Sequence, residues 1–421
     1  MRAMTKILLK PPSGLVAVLD IGSAKMVCVI ARIGGDRKPR LLGFGHQKTA
    51  GVRKGIITDM EAATAAISAV VQEAETMADE RISSVFVSMS GGGAVSSIGH
   101  AETSVAGRAI LDQDVERVLQ MARNHAPLHG RRVLHVLPLG FSVDDARDVD
   151  EPRGLFGEQL GVTLHIVSAD EGPGRSVEAA AARAHLEVDA MVAAGYAAGL
   201  GVLTPDEAEL GATVIDIGGG STSVAIFRGD KPIFVASIPV GGQTLTHDIA
   251  LVLKTPVAEA ERLKAIEGSC IAAASDEHRL INAQSIGDDG FLGVQTATRA
   301  DLVRVIHVRM EEVFEMIRQG IEDSGMDRAS GGSLILTGGG ASLHGVTDLA
   351  GRIMGKRARV GQPYGVLGLD ERLSDPGFAS AIGLLHYAAK HAAVADIAQL
   401  AAVSGANGVI GRLSAWFREH F

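Results

Sequence analysis

A stretch near the start of the chain returns near its middle. Val16-Ala-Val-Leu-Asp-Ile-Gly-Ser-Ala-Lys25 leads into the apolar Met26-Val-Cys-Val-Ile30. Ala212-Thr-Val-Ile-Asp-Ile-Gly-Gly-Gly-Ser-Thr-Ser-Val-Ala-Ile226 repeats that pattern. Each copy reads as an apolar strand ending in Asp-Ile-Gly, a turn of small residues, and a second strand. Asp20 and Asp216 occupy matching places, 196 residues apart. Duplication on this scale within 421 residues predicts two similar lobes, each with an acid at a strand end, facing one cleft.

The turn chemistry suits a phosphate. Small residues let the backbone N–H groups close on phosphate oxygens. The first loop comprises Asp20, Gly22, Ser23, Ala24 and Lys25. The second comprises Asp216, Gly218, Gly219, Gly220, Ser221 and Thr222. Hydroxyls at Ser23, Ser221 and Thr222 add donors, and Asp20 and Asp216 can hold Mg2+ through water. Alone, either hairpin would also read as an ordinary tight turn; two in register point to a ligand. A third cluster, Ser333-Leu-Ile-Leu-Thr-Gly-Gly-Gly-Ala-Ser342, predicts a buried strand entering a bare turn. There Gly338, Gly339 and Gly340 would let a flat base or ribose approach, or would serve only helix packing.

Other classes are set aside by what is missing. The chain has no GxxxxGK[ST] and no GxGxxG opening a helix. Gly91-Gly92-Gly93 follows an apolar strand without a charged neighbour and reads as a structural turn. A net charge of −9 argues against general nucleic-acid binding. Cys28 and Cys270 form neither a disulfide framework nor a zinc pattern, so a reducing cytoplasm is expected. The apolar run Ile7–Leu9 is too short for a signal peptide, and no window offers the ~20 apolar residues that cross a bilayer.

The order DxGS, DIGGGS, LTGGGA resembles the actin, sugar-kinase and DnaK-type ATPase superfamily. Within it the chain resembles the bacterial cell-division family FtsA along nearly its whole length. Gly51-Val-Arg-Lys-Gly-Ile-Ile-Thr-Asp59, Ile82-Ser-Ser-Val-Phe-Val-Ser-Met-Ser-Gly91, Arg132-Val-Leu-His-Val-Leu-Pro138, Val240-Gly-Gly-Gln-Thr-Leu-Thr-His-Asp-Ile-Ala250 and Ala381-Ile-Gly-Leu-Leu-His-Tyr387 carry the likeness. The resemblance implies an α/β, actin-like, two-lobed fold with a relocated inserted subdomain. Residues 12–83 and 169–201 would form the first lobe, 84–168 the insertion, and 202–243 with 333–390 the second-lobe core. An upper subdomain would cover 244–332, with a linker at 391–407 and a tail at 408–421.

The resemblance also implies ATP and Mg2+ on the three loops, with Glu261 and Lys264 flanking the adenosine. One helical turn separates that pair, so both can face one ligand, although a surface ion pair would share the spacing. Ala194 stands where related filament proteins carry an acid that positions water. A positioned base adds ~100- to 10,000-fold, so at most weak ATPase activity is expected, with no catalytic residue assigned. A sugar or carboxylate kinase, or another actin-like scaffold, shares the fold; fold alone does not choose.

In the tail, Ile410, Leu413, Trp416, Phe417 and Phe421 share one helical face, with Arg412 off it and Arg418 near its edge. Such a helix suits an anionic lipid surface, or docking on the protein's own core. The resemblance favours the membrane, on the cytoplasmic face of the inner membrane at the division septum. It further implies self-association into filaments, contacts with later membrane division proteins, and binding of the FtsZ C-terminal peptide. The matching region opens a long helix at Thr298, where Arg299, Arg304 and Arg309 could meet an acidic peptide.

Overall fold

The computed structural model describes residues 14–34, 37–125, 130–229, 231–286 and 292–403. The first lobe begins with β1 (Gly14–Ile21), β2 (Lys25–Ile33) and β3 (Pro39–Lys48), a meander of largely buried apolar residues. A small hairpin, β4 (Val52–Arg53) and β5 (Ile56–Ile57), precedes α1 (Met60–Ala78) and β6 (Ser84–Met89). Asp59 caps α1 by accepting from the Ala62 N–H.

The chain then leaves the lobe. β7 (Val95–Ser104), α2 (Asp112–Asn124), β8 (Arg131–Val143), β9 (Ala146–Val149) and β10 (Gln159–Asp170) form a four-stranded sheet in the order β7-β10-β8-β9. This unit has its own apolar core around Val118, Leu160 and Ile166. It returns through α3 (Glu171–Arg183) to β11 (Glu187–Ala193), then α4 (Ala194–Val202) and α5 (Pro205–Leu210).

The second lobe repeats the first. β12 (Ala212–Ile217), β13 (Thr222–Arg228) and β14 (Lys231–Ile238) form its meander. The upper part follows, with α6 (Gly242–Val252), α7 (Val257–Glu267), β15 (Leu280–Ile286), β16 (Leu292–Thr298) and α8 (Arg299–Asp323). β17 (Ser333–Thr337), α9 (Val346–Met354) and β18 (Arg357–Val360) complete the sheet, and α10 (Ala379–Val403) ends the described chain.

The two sheets have one plan. In the first the order is β11-β6-β1-β2-β3; in the second, read the same way, it is β18-β17-β12-β13-β14. Asp20 stands opposite Val27, and Asp216 opposite Ser223, so the two hairpins share their register. Both turns close alike: Gly22 N–H donates to the Lys25 carbonyl at 3.1 Å, and Gly218 N–H to the Ser221 carbonyl at 3.0 Å. Between the lobes, α4 and α10 pack within one core that takes Val18 and Ile30 from one side and Val214 and Ile335 from the other.

Two boundaries differ from the sequence reading. β6 was expected to open the insertion, yet it pairs in parallel with β1 and β11 inside the first sheet. Its apolar residues Val85 and Val87 are wholly buried there, so the excursion begins after Met89. The last helix was expected to end near Lys390, but its backbone continues to Val403. Alanine has the highest intrinsic helix propensity, and Ala392, Ala393, Ala395, Ala398, Ala401 and Ala402 lie in that extension. The tail at 408–421, with Ile410, Leu413, Trp416, Phe417 and Phe421, lies outside the described residues.

Candidate functional site: a two-lobed cleft

Strand ends build the floor of the cleft. Asp20 ends β1, where its parallel neighbour is Ser88 of β6. The Ser88 hydroxyl donates to Asp20 Oδ1. In the second lobe the matching neighbour of Asp216 is Thr337. Thr337 instead donates within 3.1 Å of the Gly361 and Pro376 carbonyls. Asp216 Oδ2 accepts from Ser380 of α10 at 3.1 Å. The supporting hydroxyls therefore differ between halves although the strands match.

Both acids are buried, and their electrostatics follow. Loss of solvent raises the Asp20 carboxyl above its usual range, against the pull of Ser88 and Lys25. Asp216 is pushed up to about 7, by burial first and then by the charge of Asp20. Lys25 sits near both, its Nζ 3.3 Å from the centre of the Phe378 ring. Burial lowers the Lys25 pKa, while Asp375, Asp20 and Asp216 oppose that shift. Asp375, Asp20 and Asp216 share one lysine, an arrangement that a cation would relieve.

The two hairpin loops meet across the cleft. Gln243 Nε2 donates to the Ser23 carbonyl at 2.9 Å. Gly55 N–H of the β4–β5 hairpin donates to Ser23 Oγ at 2.7 Å. A methyl group at Gly220 would lie 2.7 Å from both Lys54 N and Ser23 Cβ, so bare backbone is required there. The start of α6 braces the second loop: Gly242 and Gln243 donate their N–H groups to the Gly218 and Gly219 carbonyls at 2.9 and 2.7 Å.

The upper wall carries the predicted pair. Lys264 Nζ donates to Glu261 Oε2 at 2.7 Å, to Thr246 Oγ1 at 2.8 Å and to the Gly242 carbonyl at 3.1 Å. Burial raises the Glu261 carboxyl, but hydrogen bonds from Lys264 and Thr246 outweigh it and the net shift is downward. The two are thus both an ion pair and part of the wall. Opposite, Gly338 adopts φ 77° and ψ 167°, a conformation that is nearly glycine-only. It opens the turn of Gly339 and Gly340.

Together these elements enclose about 960 Å³. The wall includes Asp20, Gly22, Ser23, Ala24 and Lys25; Asp216, Gly218, Gly219, Gly220 and Ser221; Glu261 and Lys264; and Gly338, Gly339 and Gly340. Thr222 stands apart. Strand alternation turns it away, and its hydroxyl donates to the Val240 carbonyl at 2.8 Å. Ser223 lines the cleft instead, a residue that the sequence reading missed although alternation from Ser221 would have found it. Ser88 and Ser380 were missed as well. Ala194 lies in the cleft wall at the start of α4.

The three arginines do not form one patch. Arg299 is inward, bonded to Asp276 and, at 3.0 Å, to the Glu267 carbonyl. Arg309 is clamped by Asp248 at 2.6 Å and by Glu312. Arg304 has 72% of its side chain exposed and only a 3.4 Å contact to Asp301. Of the three it is the one presented to solvent. Elsewhere, no described helix is long and apolar enough to cross a membrane.

Comparison with known proteins fits this architecture. The family model "Cell division protein FtsA" matches residues 213–383, and "SHS2 domain inserted in FTSA" matches residues 91–168. The cell division protein FtsA of Rhizobium meliloti (strain 1021) is 36% identical over 425 residues, covering 97% of this chain and 95% of that one. The chain belongs to the FtsA family. FtsA of Escherichia coli (strain K12) is 28% identical, covering 97% of this chain and 98% of the relative. Among solved structures, a PilM–PilN type IV pilus biogenesis complex aligns with a TM-score of 0.63 at 20% identity. It covers 90% of this chain and 99% of that chain. MreB5 of Spiroplasma citri bound to ADP aligns at 0.51 and 15% identity, covering 89% of this chain and 95% of that one. The fold is actin-like, and the FtsA-type insertion is the four-stranded unit described above.

Proposed function

We propose that this FtsA-family chain binds ATP with Mg2+ in its cleft, assembles into filaments on the cytoplasmic face of the inner membrane, and tethers FtsZ filaments to that membrane at the septum. It would there recruit later division proteins. The observation that carries the nucleotide reading is the cleft itself. Two register-matched Asp-Gly hairpins face each other, with a glycine turn at Gly338 and the Glu261–Lys264 wall around the same space. Relatives named as cell division proteins support the cellular role.

The donor set fits Mg2+ held through water rather than gripped directly. Burial raises the proton affinity of both carboxylates at the floor, and the charge of Asp20 raises that of Asp216 further. Among the described residues no group of three or more His, Cys, Asp or Glu side chains is placed to hold a metal. Mg2+ would offset the phosphate charge beside Asp20 and Asp216. The protein's own part is to supply backbone N–H groups at the two loops, Lys25 as a cation, and a wall that excludes water. With Ala194 where a water-positioning acid would stand, we expect tight binding and slow hydrolysis, so that nucleotide acts chiefly as a clamp on the lobes.

The membrane reading rests on the apolar face of residues 410–421 and its arginine flank. The test is co-sedimentation with anionic vesicles in the presence of ATP, with and without an FtsZ C-terminal peptide. The intact chain should pellet and carry the peptide down. A chain ending at Asn407 should lose at least about nine-tenths of its vesicle binding yet still bind the peptide in solution. Equal pelleting of the two chains would refute the tether.

Peptide binding is proposed at the start of α8. The exposed Arg304 is the natural partner for an acidic segment, while Arg299 and Arg309 hold the helix in place through Asp276 and Asp248. Arg304→Glu is expected to weaken peptide binding about tenfold, equivalent to about 1.4 kcal/mol. Fluorescence anisotropy with a labelled peptide measures this, and unchanged affinity would move the site elsewhere.

A further inference from the structure

The inserted subdomain is joined to the first lobe by two chain connections, at residues 90–95 and 170–171. Arg131 fastens that junction by tying its two connections together, donating to the Gly93 carbonyl at 2.5 Å and to Asp170 Oδ1 at 2.6 Å. Asp170 N–H closes it further on the Gly92 carbonyl at 2.8 Å. The same subdomain also grips the second lobe. β14 is the edge strand of the second sheet, and an edge presents backbone groups that need partners. Here the insertion and the chain leading into it supply them, through the Ser96 hydroxyl and the Ala94 carbonyl.

Ser96 of β7 stands at the centre. Its Oγ accepts from the Val235 N–H at 2.7 Å and lies 2.8 Å from the Val235 carbonyl. His165 of β10 is buried, with Nδ1 2.7 Å from the Pro232 carbonyl and Nε2 2.7 Å from Ser96 Oγ. A carbonyl can only accept, so Nδ1 carries the proton and Nε2 is an acceptor. Two more bonds continue the row: Ser237 N–H to the Ala94 carbonyl at 3.1 Å, and Ala94 N–H to Ser237 Oγ at 2.9 Å. An imidazole, two hydroxyls and backbone groups thus form one continuous seam.

We propose that this Ser96–His165–Ser237 seam is a latch that couples closure of the two lobes around a nucleotide to the position of the inserted subdomain. It rests on the nucleotide reading of the cleft. The physical reason is connectivity. The subdomain is anchored to one lobe by covalent chain and to the other by the edge of β14. A rotation of the lobes therefore either breaks the seam or carries the subdomain with it. The seam is made in the conformation in which the phosphate loops touch, with Gln243 bonded to Ser23. A ligand that favours this conformation favours the seam by the same free energy.

The Val235 amide reports on the latch, because Ser96 is its partner. Hydrogen exchange of the full chain would be followed with and without Mg-ATP, alongside a direct titration of Mg-ATP binding. In the intact protein, exchange at Val235 and Ser237 should slow about tenfold on nucleotide binding. In Ser96→Ala, Val235 should exchange fast in both states, and Mg-ATP affinity should fall about threefold, with the cleft residues unaltered. His165→Gln, which keeps a polar group of similar reach, should give an intermediate response. Confirmed Mg-ATP binding with unchanged exchange at both amides overturns the latch and leaves the nucleotide reading standing. Failure of Mg-ATP to bind the intact protein overturns the nucleotide reading, and the latch with it.

Discussion

Gly338→Val is expected to abolish nucleotide binding and to destabilise the fold by about 3 kcal/mol. Gly338 holds φ 77° and ψ 167°, where a β-branched residue is strained before any contact is considered. A Cβ there would also lie 2.6 Å from the Ile217 carbonyl and press on the Asp216 carboxylate. Relief would push the turn of Gly339 and Gly340 into the cleft or displace the acid on its floor. Thermal unfolding should show Tm lowered by about 5 °C, and Mg-ATP titration should show no saturable binding. Gly339→Ala is the stability control, since a methyl there meets nothing within 4 Å; its Tm should stay close to that of the unaltered chain. A Gly338→Val protein with unaltered Tm and affinity would mean that the turn has another course.

The second large effect is a pH dependence set by Asp216. Its pKa stands at about 7 in the fold, raised by burial and by Asp20, against an ordinary value of 3.8. Between those values the folded chain retains a proton that the unfolded chain has released. Stability without ligand is therefore greatest below the ordinary value and falls as pH rises through about 7. The span is up to about 4 kcal/mol for this one group. Asp20 is raised in the same direction and adds to the trend. Chemical denaturation without Mg2+ should show a protein more stable at pH 6 than at pH 8. Mg-ATP should reverse the difference, because binding beside an ionised acid releases the proton. Asp216→Asn should flatten the ligand-free profile, raise stability at pH 8, and weaken Mg-ATP binding at least about 100-fold. A flat profile in the unaltered chain would show that the acids are not buried as described.

The duplicated hairpins were legible because a strand–turn–strand with a fixed acid is local: Asp20 and Asp216 announce their strand ends through the residues next to them. What supports them was not. Ser88 reaches Asp20 from 68 positions away and Ser380 reaches Asp216 from 164 away. Nothing near either serine marks it. Thr222 was misjudged for a different reason. A run of small hydroxyl residues looks uniformly useful, but a strand offers only alternate side chains to one face, and Thr222 was spent on Val240. β6 was assigned to the insertion because a resemblance marks where a module differs, not which sheet its flanking strand joins. The arginines of α8 show the limit of charge patterns. Sequence gives Arg299 and Arg309 the same standing as Arg304, and only Asp276 and Asp248, brought in by tertiary packing, tell them apart.

One consequence lies in α10. It begins at Ala379, beside the Ser380 that holds Asp216, and its backbone runs unbroken for 25 residues to Val403. At 1.5 Å per residue that is a rod of about 37 Å. Its first turn touches the cleft floor, and its far end leads toward the tail. A tilt of a few degrees at Ser380, as the acid gains or loses a neighbour, becomes a displacement of about 2–3 Å at Val403 by leverage alone. The helix thus sets how far from the cleft, and in which direction, Val403 lies. Inserting or deleting residues within it would turn its far end around the rod's axis by about 100° per residue, as well as changing its length by about 1.5 Å.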